Sequence, residues 1–200
     1  MNFRELLHGE FPLNSGQLDQ LEQHYKLLQA WNARLNLTRI VSLEDTVRMH
    51  YWESLFLAQH LPAGALSIAD VGSGAGFPGI PIAVFRPECR VTLIESHRRK
   101  AVFLQEASRN IPNVDVVAER AESLKSRYDW VVSRAVRPAE ILGLPISSRF
   151  ALLMGESDLG GLPKPQFVTK SPWGNKRILA MFHVEHDRQL EHDRIDQADG

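Results

Sequence analysis

The chain has a single cysteine, Cys89, in 200 residues. That excludes an internal disulfide and fits a reducing compartment. No apolar run approaches the length of a membrane span. The opening stretch MNFRELLHGEF has no long apolar core and carries Glu5 and Glu10, so it does not read as a secretory signal. Net charge is nearly absent too: 23 Lys and Arg stand against 24 Asp and Glu, a formal balance of −1. No global basic field recruits nucleic acid or an anionic membrane, and any such surface must be a local patch. A cytoplasmic protein is expected. Chemical signatures are sparse. No G-K-[ST] follows the glycines, which rules out a P-loop. His183, Glu185, His186 and His192 match neither H-E-x-x-H nor a zinc spacing, so no metal is expected. Cys89 has no catalytic partner in view.

What is present suits one domain with a small appendage: 44% apolar residues can build a sizeable core. Leu18, Leu21, Tyr25, Leu28, Trp31 and Leu35 recur at helical steps, with Asn14 or Ser15 near the cap. Ser42 opens a second helix that Pro62 and Gly64 end. After Gly64 the texture changes to strand, helix, strand, helix. Leu66–Val71, Arg90–Glu95, Val114–Val117 and Tyr128–Ala135 read as strands. A short helix runs to Phe85, and Arg98–Arg109 reads as another, with Ser96 as its cap. This alternation predicts a parallel sheet with helices on its faces. Phe150–Met154 and Ile178–Phe182 are further strands, joined by a Gly/Pro-rich stretch. The expected organisation is a helical extension over residues 1–64, an α/β core over 65–183 and a polar, disordered tail over 184–200.

The chemistry concentrates in DVGSGAGFPGIP, Asp70–Pro81. It contains a literal G-x-G-x-x-G from Gly74, the weak sign of a dinucleotide. It also contains D-x-G-x-G-x-G from Asp70, which places the acid at the strand end and Gly72 and Gly74 directly after it. A pyrophosphate disfavours a nearby anion. S-adenosylmethionine has no phosphate, and its sulfonium and ammonium suit Asp70. Glu95, ending the next strand, can read ribose hydroxyls in either cofactor class.

Seven stretches carry a family resemblance: WNARLNLT (Trp31–Thr38), HYWESL (His50–Leu55), DVGSGAGFPGIPIAV (Asp70–Val84), VTLIES (Val91–Ser96), KAVFL (Lys100–Leu104), ERAES (Glu119–Ser123) and YDWVVSRA (Tyr128–Ala135). In this order the chain resembles the RsmG (GidB) family of small-subunit ribosomal RNA methyltransferases. The resemblance implies the class I S-adenosylmethionine-dependent methyltransferase fold, a Rossmann-like α/β sheet that is mostly parallel, and methylation of N7 of a guanine in 16S rRNA. It implies Gly72 and Phe77 at the cofactor pocket, Glu95 at the ribose, and Ala121 with Glu122 at the adenine. Arg134 is implied at the cofactor and substrate, with Arg120 a second arginine of that site. His50, Glu53 and Ser54 match the family's H-x-x-D-S, with Glu53 in place of the aspartate. The family's L-K-G is Leu153-Met154-Gly155 here, and Lys164 or Lys170 are candidates to supply the missing cation.

Other assignments stay open at this level. The acceptor could differ within the same fold, the chain could bind cofactor without turnover, and a NAD-dependent dehydrogenase is the alternative from another cofactor class. Arg98, Arg99 and Lys100 are either an RNA phosphate contact or a solvated helix face. Arg137, Lys164, Lys170, Lys176 and Arg177 could extend a basic rim, where Trp173 either stacks on a base or packs against the sheet edge. Trp31, Trp52 and His50 are expected in the core.

Overall fold

The computed structural model describes residues 2–174 and 176–186. Among them seven strands form one sheet: β1 (Ser67–Val71), β2 (Arg90–Ile94), β3 (Val114–Val117), β4 (Trp130–Arg134), β5 (Arg149–Gly155), β6 (Phe167–Lys170) and β7 (Arg177–His183). Their spatial order is β3-β2-β1-β4-β5-β7-β6. The first five are parallel, and β7 is antiparallel to β5 and β6. The chain winds outward from β1 through β2 to β3, then returns to pair β4 on the other side of β1. That reversal leaves a crevice at the carboxyl ends of β1 and β4, where open α/β sheets bind ligands.

Alternation along the strands sorts side chains onto two faces. Ile68, Trp130, Val132, Ala151, Leu153, Leu179 and Met181 join one core. Ala69, Val71, Val131, Phe150, Leu152, Met154, Ile178 and Ala180 join the other. The first face is thickly covered by α1 (Phe3–His8), α2 (Ser15–Leu35), α4 (Glu53–His60), α5 (Gly79–Phe85) and α6 (Arg98–Ala107). The second carries the short α7 (Pro138–Leu142). Residues from Phe3 to Leu61 share the first core with the sheet, so the helical extension packs as part of one body.

The α2 helix begins as its sequence directs. Asn14 and Gln17 form a reciprocal capping box, and Asn36 ends the helix in the left-handed region at φ 47°. The next helical run is less regular than its spacing suggests. It starts at the Ser42 cap with α3 (Leu43–Thr46), widens into a π-helical segment at Val47–Trp52, and resumes as α4. From His50 to Ala58 every residue is buried, as expected of a helix wrapped by its neighbours.

Two expectations change and one open alternative is decided. Ser96 does not cap α6: His97 holds that position and offers no side-chain bond. The Gly/Pro-rich stretch contains β6, an edge strand whose Phe167 and Val168 are largely exposed. Trp173 is partly buried against Phe11, Trp52 and Phe56, the packing alternative. Residues 187–200, most of the expected tail and His192 with it, lie outside the described residues.

Candidate active site

The strand β1 stops at Val71, and the glycine loop follows at once. The Gly72 and Ser73 N–H groups both donate to the Ile94 carbonyl, at 2.9 and 3.2 Å, folding the loop across the end of β2. Gly72 sits at φ +73°, and a Cβ there would lie 2.6 Å from Val136 Cγ2. Glycine is required for the conformation and for the close approach.

Asp70 is fully buried. Its Oδ2 accepts the Gly79 N–H at 2.9 Å, tying the strand end to the start of α5. A Cβ on Gly79 would fall 2.6 Å from that oxygen and 2.3 Å from Leu93 Cδ2. Burial pushes the Asp70 carboxyl up to about 7, against the opposing pull of the Gly79 bond, Ser73 and Arg134. Asp70 Oδ1 is buried without a hydrogen-bond partner. Asp70, expected to face the ligand, lies buried at the strand end and organises the loop through Gly79.

Glu95, buried at 8% exposure, holds the same loop from the end of β2. One carboxylate oxygen accepts the Gly74 N–H at 3.0 Å and the other the His97 N–H at 2.8 Å. Each oxygen keeps a lone pair for another donor. Beyond Glu95 lies a cleft of about 130 Å³ that gathers Gly72, Arg120, Ala121 and Glu122 with Ile94, Ser96, Val136 and Ile141. Four of the sequence-selected residues thus share one cavity. Its floor continues into the core that holds Met154, which is buried on this face of β5.

Arg134 lies on the other face of the sheet, toward α4. Its guanidinium donates to the Met49 carbonyl at 2.6 Å, stands over the Phe77 ring at 5.4 Å and lies 3.8 Å from Glu53 Oε2. Burial lowers its pKa to about 10, and nearby Arg177 lowers it as well while Glu53 raises it; it stays charged at neutral pH. Phe77 is itself only 3% exposed. It stacks on His50 at 4.7 Å and supports Arg134 from below. Ser54 is fully buried, and its Oγ donates to the His50 carbonyl at 2.6 Å.

Glu53 is 2% exposed and receives a bidentate Arg177, at 3.1 and 3.0 Å from Nε and Nη2. Sequence reading placed Arg177 on a loose basic rim. Strand alternation would have found it: Arg177 shares its face of β7 with Leu179 and Met181, the face toward α4. Lys170 instead pairs with Glu156 at 3.6 Å and Lys164 is exposed, so neither supplies the cation beside Arg134.

The N-terminal helices brace the loop through two histidines. His24 Nε2 donates to the Ala75 carbonyl at 2.9 Å, which leaves Nδ1 to accept from the Tyr51 hydroxyl at 2.9 Å. Burial depresses His24 to about 4. His50, depressed by burial to about 3, bonds Thr38 Oγ1 at 2.8 Å. Asn32 clamps Thr38 from both sides, accepting its N–H and donating to its carbonyl. The W-N-x-x-x-N-L-T stretch is therefore the turn that seats His50 against Phe77. Among the described residues no group of three side chains could hold a metal.

Comparison with known proteins shows family and fold. A family model described as GidB, rRNA small subunit methyltransferase G, matches residues 17–144. A ribosomal RNA small subunit methyltransferase G from Nitrosospira multiformis is 45% identical over 120 residues, covering 58% of this chain and 55% of that protein. The protein of the same name from Nitrosomonas europaea is 39% identical over 151 residues, covering 70% of each. The chain thus spans little more than half the length of the first of these relatives. In fold it is similar to a SAM-dependent methyltransferase from Aquifex aeolicus, with a TM-score of 0.56 at 14% identity over 70% of this chain and 93% of that one.

Proposed function

The chain belongs to the rRNA small subunit methyltransferase G family, and from that premise we propose that it uses S-adenosylmethionine to methylate N7 of a guanine in 16S rRNA, in the cytoplasm. The observation that carries this reading is the arrangement at the switch point. A glycine turn, the Glu95 carboxylate bonded to Gly74 and His97, and the buried Arg134 lie at the ends of β1, β2 and β4.

The residues present fit that cofactor. Glu95 keeps acceptor capacity for two ribose hydroxyls, and the cleft at Ala121 and Glu122 offers an apolar wall with a polar edge for adenine. Gly72 allows close backbone approach. When bound, the cofactor supplies an electrophilic methyl on a sulfonium. Guanine N7 carries an in-plane lone pair and no proton, so the protein needs no general base. Its task is to hold nucleophile, methyl and sulfur in line. Arg134 retains N–H groups beyond the one spent on Met49, and the bidentate Arg177 occupies Glu53. The Arg134–Glu53–Arg177 group therefore holds a surplus positive charge beside the loop, suited to an anionic group at the rim. Phe77, His50 and Met49 fix the position of that charge, which is electrostatic preorganisation.

Small subunits lacking the N7 methyl, incubated with the protein and radiolabelled cofactor, should yield labelled 7-methylguanosine on nuclease digestion. Label on another nucleoside would move the acceptor. No label, with cofactor still bound, would leave a binding protein. Burial of Met154 where the family pattern has lysine favours the first of these as the second reading.

A further inference from the structure

The last turns of α2 and the first turns of α6 leave a groove of about 490 Å³ between them, lined by Ala30, Trp31, Arg34, Leu35, Arg99 and Val102. Its floor is apolar and aromatic. Trp31 is held by the Phe103 ring at 5.8 Å, and Val102 is 52% exposed, an unusual position for valine on an otherwise polar helix face. Its edges are cationic. Arg34 and Arg99 are exposed, and neither has an ion-pair partner among the described residues. Arg98 and Lys100 adjoin Arg99 at the start of α6, where the dipole disfavours cations. That helix has neither a side-chain cap nor an acid in its first turn. The compensating anion is therefore external.

We propose that this groove binds a single-stranded stretch of the RNA substrate, one base on the Trp31–Val102 floor and its flanking phosphates on Arg34 and Arg99. The inference rests on the RNA-methyltransferase reading. Charge complementarity selects the occupant: a flat apolar ring between two anions matches a nucleotide run, whereas an acidic peptide supplies the charge without the ring. A duplex hides its base faces and does not fit. Position agrees with this, since Arg99 lies four residues beyond Glu95 and the α2 end leads into Thr38 and His50.

The test uses the full chain, a fluorescent single-stranded oligoribonucleotide, the matching duplex and S-adenosylhomocysteine. The double variant Arg34→Glu with Arg99→Glu should bind single-stranded RNA about tenfold more weakly and flatten the log–log salt slope by about 1.4, two contacts at about 0.7 each. Val102→Glu, at an exposed position that spares the core, should also weaken RNA binding. Affinity for S-adenosylhomocysteine should not change in either. If the parent methylates RNA and both variants bind RNA as it does, the groove assignment alone is overturned. If the parent neither binds RNA nor transfers methyl to small subunits, the proposed function fails and this inference with it. If Val102→Glu instead turns a dimer into a monomer on sedimentation while RNA binding holds, the groove is a self-association face.

Discussion

Replacing Arg177 by methionine tests the buried ion cluster most directly. Glu53 is 2% exposed and the Arg177 side chain 27% exposed, with both bonds near 3 Å. Loss of the guanidinium strands a buried carboxylate, which typically costs 3–5 kcal/mol. Arg134, 3.8 Å away, partly compensates, so about 3 kcal/mol is expected, or a fall of about 6–12 °C in Tm at this chain size. Glu53→Met should cost a similar amount because two cations then face each other. The double variant should cost about 2 kcal/mol less than the sum, read by urea denaturation as a double-mutant cycle. A functional arm runs in parallel. Without Arg177, Glu53 is free to close on Arg134 and compete with the ligand anion. Calorimetry should show S-adenosylhomocysteine binding weakened by about tenfold, equivalent to about 1.4 kcal/mol. Additive costs within 0.5 kcal/mol would refute the coupling. Unchanged affinity would refute Arg134 as the anion holder.

Asp70→Asn should change the pH dependence of stability. With the carboxyl held at about 7 against an ordinary 3.8, the folded chain keeps a proton that the unfolded chain releases, so parental stability falls as pH rises from about 4 to 7. The variant should lack that slope and gain roughly 3–4 kcal/mol on the parent across the window; parallel urea midpoints at both pH values would contradict this. His24 and His50 act in the opposite direction. Their depressed values of about 4 and 3 mean that the unfolded chain takes up protons first, so stability is lost as pH falls below about 6.5. His24→Gln should shrink that acid loss in a denaturation series. Tyr51→Phe removes the proton donated to His24 and should cost about 1 kcal/mol by thermal melting. Glu95→Gln turns an amide N–H₂ toward either the Gly74 or the His97 N–H, and should weaken S-adenosylhomocysteine binding by tenfold or more in calorimetry with a folded circular-dichroism spectrum.

The parallel half of the sheet was legible because its strands are short apolar runs separated by helical stretches, with β1 and β2 running directly into Gly72 and Glu95. Arg90–Ile94 and Trp130–Arg134 fell within one or two residues of the expected spans. The elements that escaped are short or weakly patterned. Phe167–Lys170 is an exposed edge strand that follows Pro163 and Pro165, so it has neither alternation nor burial to mark it. The π-helical widening at Val47–Trp52 leaves no compositional trace, although it sits at the residues that set His50 and Glu53 against the site, a frequent location for such a bulge.

The site was half legible. Gly72, Arg120, Ala121 and Glu122, chosen from motif positions, line one cleft, and Glu95 ties the neighbouring loop through Gly74 and His97. Asp70, Phe77 and Ser54 match the motif equally well and are buried outside that cleft's lining, Phe77 and Ser54 beside His50 on the α4 side of the sheet. A motif marks residues whose positions matter, and it does not distinguish contact from support. Asp70 illustrates the point: its charge type argued for a cationic ligand, yet its measurable work is to hold the Gly79 N–H. Arg177 shows the reverse. It belongs to no motif and lies 124 positions from Glu53, but once β7 is placed beside β5, alternation leaves its side chain on the α4 face. A long buried glutamate there requires a cation, and Arg177 reaches it bidentately while Arg134 stays 3.8 Å away. The electrostatics of Arg134 therefore depend on a strand that no local pattern connects to it, and they became readable only with the sheet order in hand.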